Sequence, residues 1–270
     1  MILLNKEKVN VTKFPDKTSQ VWQLSDSQIK YIKESEGIIK VEFIFEDESE
    51  VFHLCQLSDL IHEIYYFTVR KKSLSLILRS DFLPYSRQDK DVNNNATFAL
   101  TTFVNLITEF YDRINTIDVH SNKFPDEIIS SSPILQVFKA LHHSESEYVV
   151  YPDEGACSRY SNSFNIPFIV FEKVRDQITG NITGIKVKEQ SEPELSSLSD
   201  TNVLIIDDIC DGGRTFIECS KVLDKEYSPK SINLYVSHGI FSKGTQVLYD
   251  ANIKNIYTKE GLVDHKKNSF

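Results

Sequence analysis

Residues 203–215 read VLIIDDICDGGRT, and the order of residue types in this stretch decides the fold. Val203 to Ile206 form a short apolar run, the pattern of a buried strand. That strand delivers Asp207 and Asp208 to its open end, where a pair of carboxylates can accept hydrogen bonds from two vicinal hydroxyls. A ribose offers such a diol. Asp211, Gly212, Gly213, Arg214 and Thr215 then turn the chain into the helical pattern RTFIECSKVL. The glycines let backbone N–H groups face an anion at the positive helix end. The stretch is read as a binding loop for a phosphorylated ribose. A plainer alternative, an acidic strand end followed by a glycine turn, explains each piece but not their order.

Outward from this loop, apolar strand runs alternate with helical patterns. EYVVYP, PFIVF, NVLIID, INLYVS and NIYT read as strands, and PILQVFKALHH, RTFIECSKVLDKEY and KGTQVLYDAN as helices. Upstream, SLSLILR and INTIDVH read as strands, SDLIHEIYYFTVRKK and TFALTTFVNLITEFYDRI as helices. Such alternation builds βαβ units around a mostly parallel sheet. Residues 1–57 differ: KVNVTKF, SQVWQL, GIIKVEFIF and SEVFHLC read as short strands, with one helix near Ser27 to Glu36. Asp176 to Ser199, rich in charge, Gly and Ser, reads as a mobile loop followed by an exposed connection. The expected class is α/β: two lobes, residues 1–135 and 136–270, each a mostly parallel sheet flanked by helices.

The chain has 270 residues, 40% hydrophobic and 26% charged, an ordinary composition for domains with real cores. A formal net charge of -9 argues against general affinity for nucleic acid, which needs clustered Lys and Arg to replace phosphate counterions. Cys55, Cys157, Cys210 and Cys219 lack CxxC spacing, which disfavours a zinc ribbon or a disulfide-stapled module and fits a reducing cytoplasm. No apolar run approaches the length of a membrane span, and MILLNKEKVNV lacks a signal-peptide core.

In an open parallel sheet, ligands sit beyond the carboxyl ends of the strands. Polar residues following apolar runs are therefore the candidates: Pro84 to Asp91, Asp118 to His120, Asp153 to Ala156, Lys173 to Arg175, Asp207 to Thr215, and His238 to Gly239. Asp118 and His120, two apart on a strand, would face one side and suit a metal and phosphate site. Arg87 is a donor fork suited to phosphate or to stacking on adenine, although RQDKD is also what a solvated charged loop looks like. Lys173 and Arg175, read alone, are surface cations. No cysteine has an evident base partner, so no covalent intermediate is expected.

VLIIDDICDGGRT resembles the signature that binds phosphoribosyl pyrophosphate (PRPP) in the type I phosphoribosyltransferase superfamily. LPYSRQDKD, Leu83 to Asp91, resembles PYxxYARQDRK of the ribose-phosphate pyrophosphokinases, the PRPP synthetases, and implies Arg87 and Gln88, with Asp91, as ATP ligands. TIDVHS resembles (T/V)xDLH(A/S), which implies that His120, with Asp118, supports a magnesium ion and ATP. YPDEGACSR resembles SPDxGGxxR and implies Asp153, Glu154, Gly155 and Ala156 as the loop receiving the diphosphate, Asp153 also near the metal. FEKVRD resembles the KxR element opening the family's flexible catalytic loop, which implies Lys173 and Arg175 as cations for the transferred group. SHGIFSKG resembles THGxxSG. KFPDKTSQV resembles FxDGE, a hairpin lending Phe and acidic groups to the adenine pocket of a neighbouring subunit; Phe14 and Asp16 match, and Thr18 stands where Glu is usual. The resemblance covers most of residues 80–258 and is thin before them.

The resemblance implies a cytoplasmic ATP-dependent diphosphokinase using Mg2+, assembled as a homodimer or higher homo-oligomer. The usual phosphate loop DT(G/C)GT reads DGGRT here, with a hydroxyl lost at Gly212 and a cation gained at Arg214. Such a loop has room for a 5-phosphate that carries more groups, so the acceptor is ribose 5-phosphate, as in nucleotide biosynthesis, or ADP-ribose, as in NAD salvage. Two alternatives stand beside this reading. A PRPP-consuming phosphoribosyltransferase would need a base-binding hood and would not need RQD, DVH and KVR together. An inactive nucleotide-sensing regulator would not need Lys173, Arg175 and His120.

Overall fold

The computed structural model describes residues 1–69, 73–88, 97–120, 126–175, 182–191 and 197–264, without the side chains of 175, 182 and 183. The chain divides into two compact units, Met1–Ser131 and Ser132–Phe270.

The first unit runs β1 (Ile2–Leu4), β2 (Glu7–Lys8), β3 (Val11–Lys13), β4 (Ser19–Val21), α1 (Asp26–Glu34), β5 (Ile38–Phe43), α2 (Ser49–Val69), β6 (Ser75–Arg79), α3 (Ala99–Thr108), β7 (Arg113–Ile117) and β8 (Ile128–Ser131). Among the described residues its main sheet has the order β2-β1-β5-β6-β7-β8. β5 to β8 are parallel, while β1 and β2 pair antiparallel at one edge. β3 and β4 form a separate antiparallel hairpin. α1 opens on a reciprocal cap: the Gln28 N–H donates to Ser25 Oγ at 3.1 Å, and the Ser25 N–H donates to Gln28 Oε1 at 2.9 Å.

One expectation is corrected here. Ser49 to Cys55, SEVFHLC, is not a strand but the opening of α2. A short apolar run fits either period by itself. In the fold, His53, Leu54, Leu57, Ser58, Ile61 and Tyr65 recur every three or four residues and are buried together, so the helical face prevails. β8, within SNKFPDEIISSSP, was not anticipated from the pattern; its parallel partner β7 defines it.

The second unit runs α4 (Ile134–Ser144), β9 (Tyr148–Tyr151), α5 (Glu154–Tyr160), β10 (Phe168–Arg175), β11 (Ile182–Gln190), β12 (Asn202–Cys210), α6 (Arg214–Glu226), β13 (Ser231–Gly239), α7 (Gln246–Tyr249), β14 (Ile253–Thr258) and β15 (Gly261–Leu262). Its sheet has the order β11-β10-β9-β12-β13-β14-β15. The central strands β10, β9, β12, β13 and β14 are parallel, and β11 and β15 close the edges antiparallel. Cores lie on both faces. Val203 and Ile205 join Phe216, Cys219 and Leu223 of α6, whereas Leu204 and Ile206 join Val137, Ala140 and Leu141 of α4 and Ala156 of α5. Period-two alternation between two buried faces is why β12 reads as an unbroken apolar run.

β11 corrects the loop expected at Asp176 to Ser199 over residues 182–190; 176–181 and 192–196 lie outside the described residues. Its described residues alternate, with Ile185 and Val187 packed on the core and Lys186 and Lys188 exposed, and it pairs along β10 as far as Arg175. An edge strand with one charged face has loop-like composition, and lysine there discourages pairing with other chains. Lys173 and Arg175 therefore sit on a strand. Among the described residues, no helix is long and apolar enough to cross a membrane.

Candidate active site

In the second unit the site is built at the carboxyl ends of β9, β10 and β12. β12 continues to Cys210, so Asp207 and Asp208 lie within the strand rather than past it, with Asp207 opposite Val236 and Ile209 opposite His238 of β13. Successive strand residues ordinarily face opposite sides, yet one guanidinium meets both carboxylates. Arg159 Nη2 on α5 donates to Asp207 Oδ1 at 3.0 Å and to Asp208 Oδ1 at 2.7 Å. The Asp208 side chain is 2% exposed and that of Arg159 14%. Burial, then the charge of Asp208, raises the Asp207 carboxyl well above the ordinary carboxylate range, and Arg159 opposes the rise. The two carboxylates, Asp208 buried and Asp207 nearly so, are bridged by the Arg159 guanidinium.

Arg159 was missed by the strand-end rule because it returns to the site from a helix. The signal was present as the last residue of YPDEGACSR. That segment is not an open loop: Asp153 is the N-cap of α5, its Oδ1 accepting from the Ala156 N–H at 3.1 Å, and Glu154, Gly155 and Ala156 form the first turn. Asp153 Oδ2 accepts from Lys173 Nζ at 2.9 Å. Burial pushes the Asp153 carboxyl up, but the hydrogen bond and charge of Lys173, together with the Ala156 N–H and the Arg159 charge, leave the group below its usual range. Glu154 pairs with Lys188 of β11. The backbone of Arg175 ends β10; its side chain lies outside the described residues.

Beyond β12, Asp211 and Gly212 lead to Gly213, which caps α6 with φ 77°; Arg214 and Thr215 open the helix, and no side chain bonds their turn from the cap, which leaves leading N–H groups of the kind that bind anions. A Cβ at Gly213 would stand 2.9 Å from Leu248 Cδ2, a fully buried side chain. Gly213→Ala is therefore expected to lower stability by about 1–3 kcal/mol, through both the left-handed backbone and the clash, as read from a urea midpoint. At Gly212 the approach comes from Lys243, whose Cδ and Cε would lie 3.5 Å from a Cβ there. Lys243, a cation beside the Gly212 turn, was also not anticipated.

The first unit carries the remaining candidates. Arg87 and Gln88 are exposed in a turn after β6, where the Gln88 N–H donates to Tyr85 O at 2.9 Å and Tyr85 has φ 62°. Asp91 lies outside the described residues. β7 ends at Ile117, and Asp118 turns the chain with φ 50°, its N–H donating to Ser131 O at 2.9 Å. Asp118 and His120 are thus past the strand, so strand alternation does not set their faces; Asp118 is buried and His120 half-buried. Phe14 and Asp16 form the tip of the β3–β4 hairpin. Asp16 Oδ1 accepts from Thr18 Oγ1 at 2.7 Å and the Thr18 N–H at 3.0 Å, which holds its carboxyl low.

Among the described residues, no group of three or more His, Cys, Asp or Glu gathers into a metal centre. Mg2+ is commonly held by one or two carboxylates together with substrate phosphates, and a carboxylate donor of that kind is present in each unit by itself, Asp118 in the first and Asp153 in the second.

An acidic strand pair followed by a glycine-capped helix, on a sheet covered on both faces, defines a domain of the phosphoribosyltransferase type. Residues 156–268 match the family model described as the phosphoribosyl transferase domain. The chain is 23% identical over 245 residues to the ribose-phosphate pyrophosphokinase of Pyrococcus furiosus, covering 87% of this chain and 79% of that protein. It is 24% identical over 266 residues to the enzyme of the same name from Saccharolobus solfataricus, covering 92% and 84%. The crystal structure of phosphoribosylpyrophosphate synthetase from Mycobacterium smegmatis has the same fold, with a TM-score of 0.69 at 15% identity over 92% of this chain and 78% of that one. The chain is a homologue of the ribose-phosphate pyrophosphokinases, a transferase enzyme.

Proposed function

We propose that the protein transfers the β,γ-diphosphoryl group of ATP to the anomeric hydroxyl of a 5-phosphorylated ribose, releasing AMP. The observation that carries this reading is the Arg159 bridge. It holds Asp207 and Asp208 ready to accept from a ribose diol, in the same unit as the Gly213-capped phosphate loop and the Lys173–Asp153 pair. The anomeric oxygen bonds to the β-phosphorus as the bond from that phosphorus to the α,β-bridging oxygen breaks. AMP leaves with the bridging oxygen, and the hydroxyl proton goes to solvent.

The protein's part is positioning and charge neutralisation. Asp207 and Asp208 hold the diol, and Asp211, Gly212, Gly213, Arg214 and Thr215 cradle the 5-phosphate. Asp153, Glu154, Gly155 and Ala156 receive the diphosphate. Lys173, paired with Asp153 in the resting protein, turns with Arg175 to the developing phosphate charge. Arg87, Gln88 and Asp91 bind ATP, with Phe14 and Asp16 supplied by a neighbouring subunit of a homodimer or larger assembly. His120 and Asp118 in the first unit, and Asp153 in the second, are the residues that would hold magnesium, which would neutralise phosphate oxygens. The setting is the cytoplasm.

Ribose 5-phosphate would give PRPP for nucleotide biosynthesis. ADP-ribose would give its 1-pyrophosphate in NAD salvage, and the cation Lys243 packed against Gly212, with Arg214 two residues further on, favours an acceptor of more than one phosphate. The test is AMP release from ATP and Mg2+ with ribose 5-phosphate, with ADP-ribose, and without sugar. Sugar-dependent AMP is expected. Consumption of PRPP without AMP release would make the protein a phosphoribosyltransferase, nucleotide binding without turnover a regulator, and activity on ribose 5-phosphate alone would remove the ADP-ribose extension.

A further inference from the structure

The β3–β4 hairpin is outside the main sheet of its unit. Its strands have three residues each, in the register Val11 to Val21, Thr12 to Gln20 and Lys13 to Ser19. A two-stranded ribbon of that size is marginal by itself, so something else must hold it.

Helix α2 does so from one face. Gln56 Oε1 accepts from the Val21 N–H at 2.8 Å, and Gln56 Nε2 donates to Ser19 O at 3.2 Å. One side-chain amide thus satisfies a main-chain donor and a main-chain acceptor of β4, as a neighbouring strand would. His53, three residues earlier and on the same helix face, joins Ser19 Oγ to its Nε2 at 2.7 Å. The His53 side chain is buried, and Val21 packs into the core of this unit. All three bonds fall on β4. At the tip Phe14 is 36% exposed, and Trp22, just past the end of β4, is 60% exposed, their rings edge to face at 6.2 Å.

We infer that His53 and Gln56 are positioning residues that aim the hairpin, and through it Phe14, at the nucleotide. This rests on the reading of Phe14 as an adenine-side residue. It gives a task to α2, a segment to which the motifs assign none. A side chain that binds by stacking must arrive in one geometry, and displacements near 1 Å are enough to lose about 10²-fold in an enzyme site.

Trp22 is the only tryptophan in the chain, so its fluorescence reports on the hairpin alone. The experiment compares wild type with Gln56→Leu and with Ser19→Ala, which removes the partner of His53 without touching the core. It reads Trp22 anisotropy, the ATP dissociation constant by calorimetry, and acceptor affinity. His53→Gln, which keeps a polar nitrogen near the position of Nε2, is the conservative variant expected to restore wild-type values where His53→Leu does not. Gln56→Leu is expected to lower anisotropy and weaken ATP binding about tenfold, in keeping with two lost hydrogen bonds, while acceptor affinity stays within about twofold. Unchanged anisotropy overturns the clamp. Lower anisotropy with unchanged ATP affinity overturns the positioning role. Wild type that releases no AMP would defeat the proposed reaction instead, and the ATP affinities would still decide this inference.

Discussion

Lys173→Ala is expected to cut sugar-dependent AMP release by about 10²–10³-fold, the scale of losing one preorganised charge at a reacting group. Folding stability should change by less than about 1 kcal/mol, because a partly exposed ion pair contributes little to folding. The Lys173 and Asp153 side chains are 27% and 35% exposed, and Asp153 keeps the Ala156 N–H when the lysine is gone. The variant also loses the hydrogen bond and the charge of Lys173, two of the influences that hold the Asp153 carboxyl low against burial, while the Ala156 N–H and the Arg159 charge remain. A depressed carboxyl stabilises the fold above its unfolded pKa, and that contribution is lost as pH falls through the folded value. The wild-type acid dependence should therefore flatten in the variant. Turnover at several pH values beside urea unfolding separates the two roles. A stability loss as large as the activity loss would make Lys173 a structural residue.

Arg159→Met should act the other way, on the fold first. It leaves Asp207 and Asp208 buried without the guanidinium that now bridges them at 3.0 and 2.7 Å. Removing one side of a buried ionic group costs about 3–5 kcal/mol, a large share of a typical domain's stability. The pH dependence has a definite sign. Asp207 is already raised by burial and by Asp208, with Arg159 opposing, so the variant raises it further. A carboxyl with a raised folded pKa is at its most favourable below its unfolded value of about 4 and loses stability as pH climbs through the folded value. The deficit against wild type should narrow as pH falls from 7 towards 5. A deficit under about 1 kcal/mol, or one indifferent to pH, would show that the arginine is not what balances the pair.

The sequence by itself determined the acidic strand, the glycine turn into α6 and the parallel α/β class. Those features depend on local order: an apolar run buried on both faces, a glycine at φ 77°, and a helix starting directly after it. The strand-end position of Asp153 was legible for the same reason, whereas Lys173 lies within β10. Only the tertiary structure decided the rest. SEVFHLC became helix because its period is chosen by what packs against it, and the charged stretch through Lys186 and Lys188 became β11 because β10 offered a ladder. Asp118 left its strand at a turn tied to Ser131. Arg159 reached two aspartates nearly fifty positions away, and Gln56 reached a hairpin on the far side of α1 in sequence. In each case the deciding bond is made to a partner distant along the chain, and local residue order carries no record of that distance being closed.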